Sequence, residues 1–532
     1  MSVKRLIAAA SMLALVPVLN FPARAAPDDS ARQARWWGHV EVLASDAMEG
    51  RLTGSPGYDN AAAYVVQQFR TIGLEPAGSD GWFQPVELIE QRFDAARSGA
   101  SLTNGGAPTV LSVPGQIYFR GSFPMPATVD APMVFAGYGL SVPDAGFDDL
   151  AGLDVAGKVV VVVAAAGPPT IPGALKSDAR SNLAHILAGR GAVGILSVTP
   201  PRFVEIPWAR QVDISAQPSM YFADASLRDV ATPFMAATFN PAEAERLFAG
   251  SGHSFAEIAA LAESGATLPK FALPSRLGAT ITVASAPVHG KNVIARLPGR
   301  DKALAAENVV LSAHLDALGV GIPINGDTIY NGAFDNAIGV ASAIEIAAAM
   351  KDAPPRRSIV FAIVTGEEKG LLGSRYFAAR PTVPASSLVA DLNFDMPLPI
   401  FPLTSVTPIG FDQSTLGDNA RAVGKAMGLG IVPDPLPDRN AFIRSDQYSF
   451  IRKGIPALFM KYGFAPGTPE ETTEKTWRAS RYHAPGDDLA QPVMKGEAIK
   501  MNDYVAALLR HVADDPKRPA WLKDSPFRRF AE

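Results

Sequence analysis

"RSIVFAIVTGEEKG", residues 357–370, sets six apolar residues in a row, Ile359 to Val364, ahead of a glycine and two adjacent glutamates. A short unbroken apolar run bounded by turn residues suits a strand buried on both faces. Similar runs recur as "ATITVAS" (279–285), "GKNVIARLPG" (290–299), "ENVVLSAHLD" (307–316), "SLVADLNFD" (387–395) and "GIPALFMKYG" (454–463). Helix-like stretches such as 338–351 separate them. That alternation predicts an α/β fold: a mixed, mostly parallel sheet flanked by helices. In such sheets ligand-handling residues collect at the carboxyl ends of the strands. Glu367 and Glu368 stand at one of these ends, where burying two ionised neighbours is costly unless something compensates them.

The other strand ends suggest what that is. "SAHLDALG" brings His314 and Asp316, "NGAFDNAIG" brings Asp335, "NFDMP" brings Asp395, and "YHAPGDD" brings His483. The chain has seven histidines and no cysteine, so a metal would be held by His, Asp and Glu. Zinc accepts these ligands, and two ions can share a carboxylate and neutralise clustered acids. One glutamate of the pair would then bind metal while the other handles protons. Any single element here has a bland explanation. "GEE" could open a helix, and Asp391 rivals Asp395. The ordered set carries the argument.

With 532 residues the chain can hold more than one domain, and 48% hydrophobic and 19% charged residues describe an ordinary globular protein. A net charge of −4 without a basic run excludes a nucleic-acid footprint. Residues 1–25 form an expected export signal: Lys4 and Arg5, then "LIAAASMLALVPVL", then "ARA". The apolar stretch is interrupted by Pro17 and falls short of the roughly 20 residues of a spanning helix, so stable membrane insertion is not expected. A periodic stretch at 59–72 reads as a helix ended by Gly73. The β-rich texture of "APMVFAGYGL" and "GKVVVVVAAAG" marks a block at 126–275 between two parts of the main domain, 26–125 and 276–515. Residues 516–532 read as a peripheral tail.

The five elements, with "LASDAMEGRLTGSPG" (43–57), resemble the metallopeptidases of clan MH, family twenty-eight: di-zinc aminopeptidases related to glutamate carboxypeptidase, glutaminyl cyclase and the transferrin receptor. The 126–275 block resembles a protease-associated (PA) domain. The resemblance implies the zinc exopeptidase fold, two Zn²⁺ per chain and peptide substrates. It implies one ion on His314 and Asp395, another on Glu368 and His483, and Asp335 bridging them. Glu367 is similar to the family's general base, Tyr482 to its oxyanion donor, and Asp316 to the residue that orients the His314 imidazole. Asn336, Ser445, Asp446, Gln447 and Tyr448 are the implied substrate contacts. Ala317, Gln447 and Ile338 depart from the commoner pattern, none of them at a ligand position. Carboxypeptidase action is the alternative and would need a cation such as Arg439 or Arg444 to grip a terminal carboxylate. A catalytically dead, receptor-like relative is the other alternative.

Overall fold

The computed structural model describes residues 29–204 and 206–531, so the expected export signal at 1–25 lies outside the described residues. The ten-stranded main sheet is built around four parallel strands, in the order Ser358–Val364, Asn308–His314, Leu388–Asn393 and Ala457–Tyr462. Antiparallel strands flank them, Val283–Leu297 and Phe83–Phe93 on one side and Ser405–Ile409 on the other.

The period of two explains why the central strands are apolar throughout. Leu311, Phe361 and Ile363 point into the core beneath helices Asp29–Leu43, Pro56–Ile72, Ile338–Met350 and Lys495–Asp514. Val310, Val360 and Ala362 point the other way, against Phe377 and Phe450. Neither face meets water, so neither tolerates polar alternation. Each fully buried Val, Ile or Phe contributes roughly 1.5–3 kcal/mol. The expected helix at 59–72 spans Pro56–Ile72, opened by Ser55, whose hydroxyl accepts from Tyr58 N, and closed by Gly73 at φ +89°. Helix Ile338–Met350, apolar but for Ser342 and Glu345, is mostly buried in the core.

A second, eight-stranded sheet has its own core. Its middle strands, Thr128–Ala136, Val159–Val163, Gly194–Val198 and Met235–Phe239, are parallel, with helix Gly173–Gly189 packed through Leu183 and Leu187 against one face. This unit starts earlier than residue 126, because Gly99–Thr103, Thr109–Leu111 and Ile117–Phe119 all pair into it. It also continues past 275, since Lys270–Thr280 is one long strand paired along its length. One segment inside the block, Ser219–Phe222, leaves it and pairs with Phe83–Phe93 on the outer edge of the main sheet. Composition marks a change of texture but not where backbone hydrogen bonds go.

The tail is not peripheral. Phe527 is fully buried, Trp521 Nε1 donates to Gly454 O at 2.8 Å, and Arg529 pairs with Asp178 of the second unit.

Candidate metal centre

The four parallel strands deliver their carboxyl ends to one place. His314 ends its strand, Asp395 lies two residues past Asn393, and Glu367 and Glu368 follow Val364 across the Thr365–Gly366 turn. Asp335 sits in the tight turn before helix Ile338–Met350, with a cis peptide to Asn336. Gly339 is obligatory there. A Cβ would stand 2.2 Å from Asn336 Oδ1 and 2.3 Å from Phe394 O. His483 comes from a late loop at φ +53°.

His314 Nδ1 donates to the Asp316 carbonyl at 3.0 Å, which leaves Nε2 to face the carboxylates. Nε2 faces Asp335 Oδ1 at 3.2 Å and Asp395 Oδ1 at 3.3 Å. His483 Nε2 faces Asp335 Oδ2 at 3.3 Å and Glu368 Oε2 at 3.2 Å. Each trio thus turns a basic nitrogen and two carboxylate oxygens toward one point, and Asp335 gives one oxygen to each trio. Imidazole and carboxylate donors so gathered fit a metal ion.

The electrostatics show what a cation would relieve. Burial alone would push both imidazoles down, yet surrounding carboxylates, chiefly Glu367 and Asp395 for His314 and Glu368 and Asp335 for His483, reverse it. His314 is held well above its usual range and His483 rises to about 10. Burial would raise Asp335 and Asp395, and the histidines, with Lys461 for Asp395, hold both below the ordinary carboxylate range instead. Protonated histidines thus stand in for cations.

Glu367 belongs to neither trio. Burial, reinforced by Asp446, Asp395 and Glu368, pushes its carboxyl well up. The Tyr482 ring stacks on His483 with centroids 3.8 Å apart, and Arg478 lies over its face at 4.8 Å.

Other implied roles change on inspection. The Asp316 carboxylate does not hold the imidazole, since Oδ1 is 3.9 Å from Nδ1 and the residue's carbonyl takes that bond. The carboxylate instead accepts from the backbone N–H of Glu367 at 3.1 Å and of Glu368 at 3.3 Å, fixing the turn that presents both. Asn336, Ser445, Asp446, Gln447 and Tyr448 are all buried behind the ligands rather than exposed to a substrate. Asn336 Oδ1 accepts from Gly339 N and Met396 N. Ser445 Oγ donates to Asp395 Oδ2 at 2.7 Å, and Gln447 braces Asn393. The Tyr448 phenol is spent on Asp178 of the second unit. Departure residue Ala317 lines the open side of the site with Asp335, Glu368 and His483, and Ile338 is core.

Three supports escaped sequence reasoning. Arg51, fully buried, donates to the carbonyls of Leu43, Leu315, Asn331 and Gly332, tying the His314 strand end to the Asp335 turn. Asp487 accepts from the N–H of Phe334 and of Asp335, both at 2.9 Å. Lys461 Nζ donates to the carbonyls of Asp395 at 2.6 Å and Met396 at 3.2 Å. Arg51 and Asp487 lie inside quoted motifs, but their targets are backbone atoms, all except Leu43 far away in sequence, and no spacing rule reveals those.

Comparison with known proteins fits this geometry. Residues 292–509, the stretch that carries all five ligand candidates, match the sequence profile of Peptidase family M28. That stretch, about two fifths of the chain, is similar to Peptidase family M28. Among curated relatives, the probable leucine aminopeptidase 2 of Aspergillus oryzae is 28% identical over 250 residues, 43% of this chain and 46% of that protein. The chain thus matches about half the length of that relative. The probable lipoprotein aminopeptidase LpqL of Mycobacterium tuberculosis is 28% identical over 428 residues, 79% of this chain and 68% of that protein. The aminopeptidase from Aneurinibacillus sp. strain AM-1 shares the fold, with a TM-score of 0.53 at 19% identity over 91% of this chain and 95% of its own.

Proposed function

We propose that this chain is a zinc-dependent aminopeptidase holding two Zn²⁺. His314 and Asp395 would hold one ion, Glu368 and His483 the other, with Asp335 shared. The observation that carries this is the split of the two Asp335 oxygens between two histidine–carboxylate trios, with Glu367 alongside and in neither. When bound, such ions supply Lewis acidity and lower the pKa of a coordinated water to roughly 7.

The chain's own residues do the rest. Glu367, whose buried carboxyl binds a proton readily, takes the proton of the attacking water and passes it to the leaving amine. Asp316 holds the Glu367 backbone in place for this. Tyr482, kept protonated by burial and the nearby acids, donates to the oxygen of the carbonyl under attack. The aminopeptidase names of both curated relatives support a substrate with a free amino terminus. Of the two arginines named for carboxypeptidase action, Arg439 is engaged by Glu474 at 2.9 Å and Arg444 is exposed, which weighs against that alternative.

The second unit supports a PA-like role beside the site. Arg210, from its helix Trp208–Ser215, reaches the Tyr482 carbonyl at 3.4 Å. The charged-then-apolar start of the sequence supports export.

Purified protein should hold close to two zinc equivalents and hydrolyse aminoacyl-nitroanilides. Glu367→Gln should keep its zinc and lose about 10²–10⁴-fold in kcat. A Glu367→Gln enzyme running at the parent rate removes Glu367 from the reaction, and cleavage of only amino-blocked dipeptides replaces the aminopeptidase reading with the carboxypeptidase one.

A further inference from the structure

Asp178, on helix Gly173–Gly189 of the second unit, is more than nine-tenths buried at the seam with the main domain. Its carboxylate joins three segments of the chain. Asn182 of its own helix donates to Oδ1 at 3.2 Å, Arg529 of the tail binds Oδ2, and the Tyr448 hydroxyl donates to Oδ1. Tyr448 is as deeply enclosed as Asp178. The seam is tight here. A Cβ on Gly173 would stand 2.6 Å from Asn440 Oδ1, in the turns ahead of helix Gln447–Ile451. A buried carboxylate is tolerated only when its oxygens are met, so Asp178 fixes where the Tyr448 phenol sits.

From Tyr448 the hydrogen bonds run on to the metal centre. Its N–H donates to Ser445 O at 3.0 Å, which makes the two residues one turn. Ser445 Oγ accepts from Asn393 Nδ2 at 2.8 Å and donates to Asp395 Oδ2 at 2.7 Å. Gln447 braces the same turn, donating to Ala441 O at 3.0 Å and Phe442 O at 2.9 Å while its Oε1 accepts from Asn393 at 2.7 Å. With Oδ2 so held, Asp395 turns Oδ1 to His314 Nε2 at 3.3 Å. Carboxylates of the other trio are anchored by different groups: the N–H of Glu368 rests on Asp316 and that of Asp335 on Asp487.

Contiguous buried hydrogen bonds of this kind can carry energetic coupling between distant sites. We infer that Asp178 and Tyr448 are positioning residues through which the second unit sets the Asp395 carboxylate against His314. What that half of the centre holds rests on the two-zinc reading, whereas the line of hydrogen bonds does not.

Two measurements test it. The first uses metal-free protein with ¹³C-labelled histidine, its signals assigned from His314→Gln and His483→Gln. Tyr448→Phe should move the His314 Cε1 resonance and leave that of His483 in place. In the second, excess chelator should strip the zinc-loaded protein in two phases, the one quickened by Asp395→Asn belonging to the His314 half. Losing a partner next to a ligand costs about 10–100-fold in metal affinity. One step further out the loss is smaller, so Tyr448→Phe should speed that phase about three- to tenfold and the other less than about twofold. Asp178→Ala should act alike; if it does not fold, Tyr448→Phe carries the test alone, since it removes one oxygen from an otherwise unchanged ring. Arg529→Ala breaks a docking contact off this line and should speed neither phase. An unmoved His314 resonance, equal quickening of both phases, or the same quickening by Arg529→Ala overturns the inference. A parent holding fewer than two zinc ions refutes the two-zinc reading, while the histidine spectrum still decides the positioning role on its own.

Discussion

Two groups of buried acids stand a few residues apart and behave oppositely. The front group, Asp335 and Asp395, meets histidines and is held below the ordinary carboxylate range despite burial. The rear group, Asp391 and Asp446, is equally buried, and among the described residues neither makes an ion pair. Burial pushes Asp391 well up and Asp446 to about 7. Asp391 lies four residues before Asp395 and takes only a hydrogen bond from Ser312 Oγ at 2.8 Å, leaving Oδ2 unmet. A basic nitrogen within about 3.3 Å, not burial or acidity, separates an acid ready to hold a cation from one that keeps its proton.

The sharpest way to break this contrast is at the shared member of the front group. Asp335→Asn removes one charge from both trios, and zinc affinity and activity should each fall by more than about 10²-fold, beyond the usual loss of an outer partner. Retention of two tightly held zinc equivalents would refute the sharing. Arg51→Lys tests whether the front group depends on its scaffold. Lysine cannot reach four carbonyls at once, so thermal unfolding should show a loss of about 3 kcal/mol or more, with weaker zinc retention. An unchanged Tm would demote Arg51 to a bystander.

The smallest effect belongs to the rear group. Asp391→Asn should leave zinc content intact, and its signature is pH dependence. The folded protein keeps a proton on Asp391 that the unfolded chain releases above about pH 4, so native stability falls as pH rises toward the raised folded pKa. The variant escapes that loss. Its stability relative to the parent should therefore grow with pH above about 4, by at most about 1.4 kcal/mol per pH unit. A flat difference across pH 5–8 would show that Asp391 is ionised in the fold.

The sequence made the parallel centre of the main sheet readable because two-sided burial leaves an unmistakable apolar run, as in Ile359–Val364. It located the ligand candidates because chemistry of that kind needs acids and histidines at strand ends. The substrate residues were misplaced for the opposite reason. Gln447 and Tyr448 neighbour the centre in sequence, yet a short helix turns them inward to Asn393 and Asp178. Arg51 and Lys461 were invisible because they bind carbonyls, which every residue carries. The edges of the second unit were blurred because strands such as Gly99–Thr103 are too short and mixed to show a period.

Strand Ser219–Phe222, lent by the second unit to the rim of the main sheet, makes the chain resistant to trimming. Cutting out 126–275 along the compositional boundary would strip Phe83–Phe93 of its outer neighbour and bare a ladder of unpaired amides, a template for self-association. A soluble, minimal catalytic fragment would have to keep that one thread or replace it.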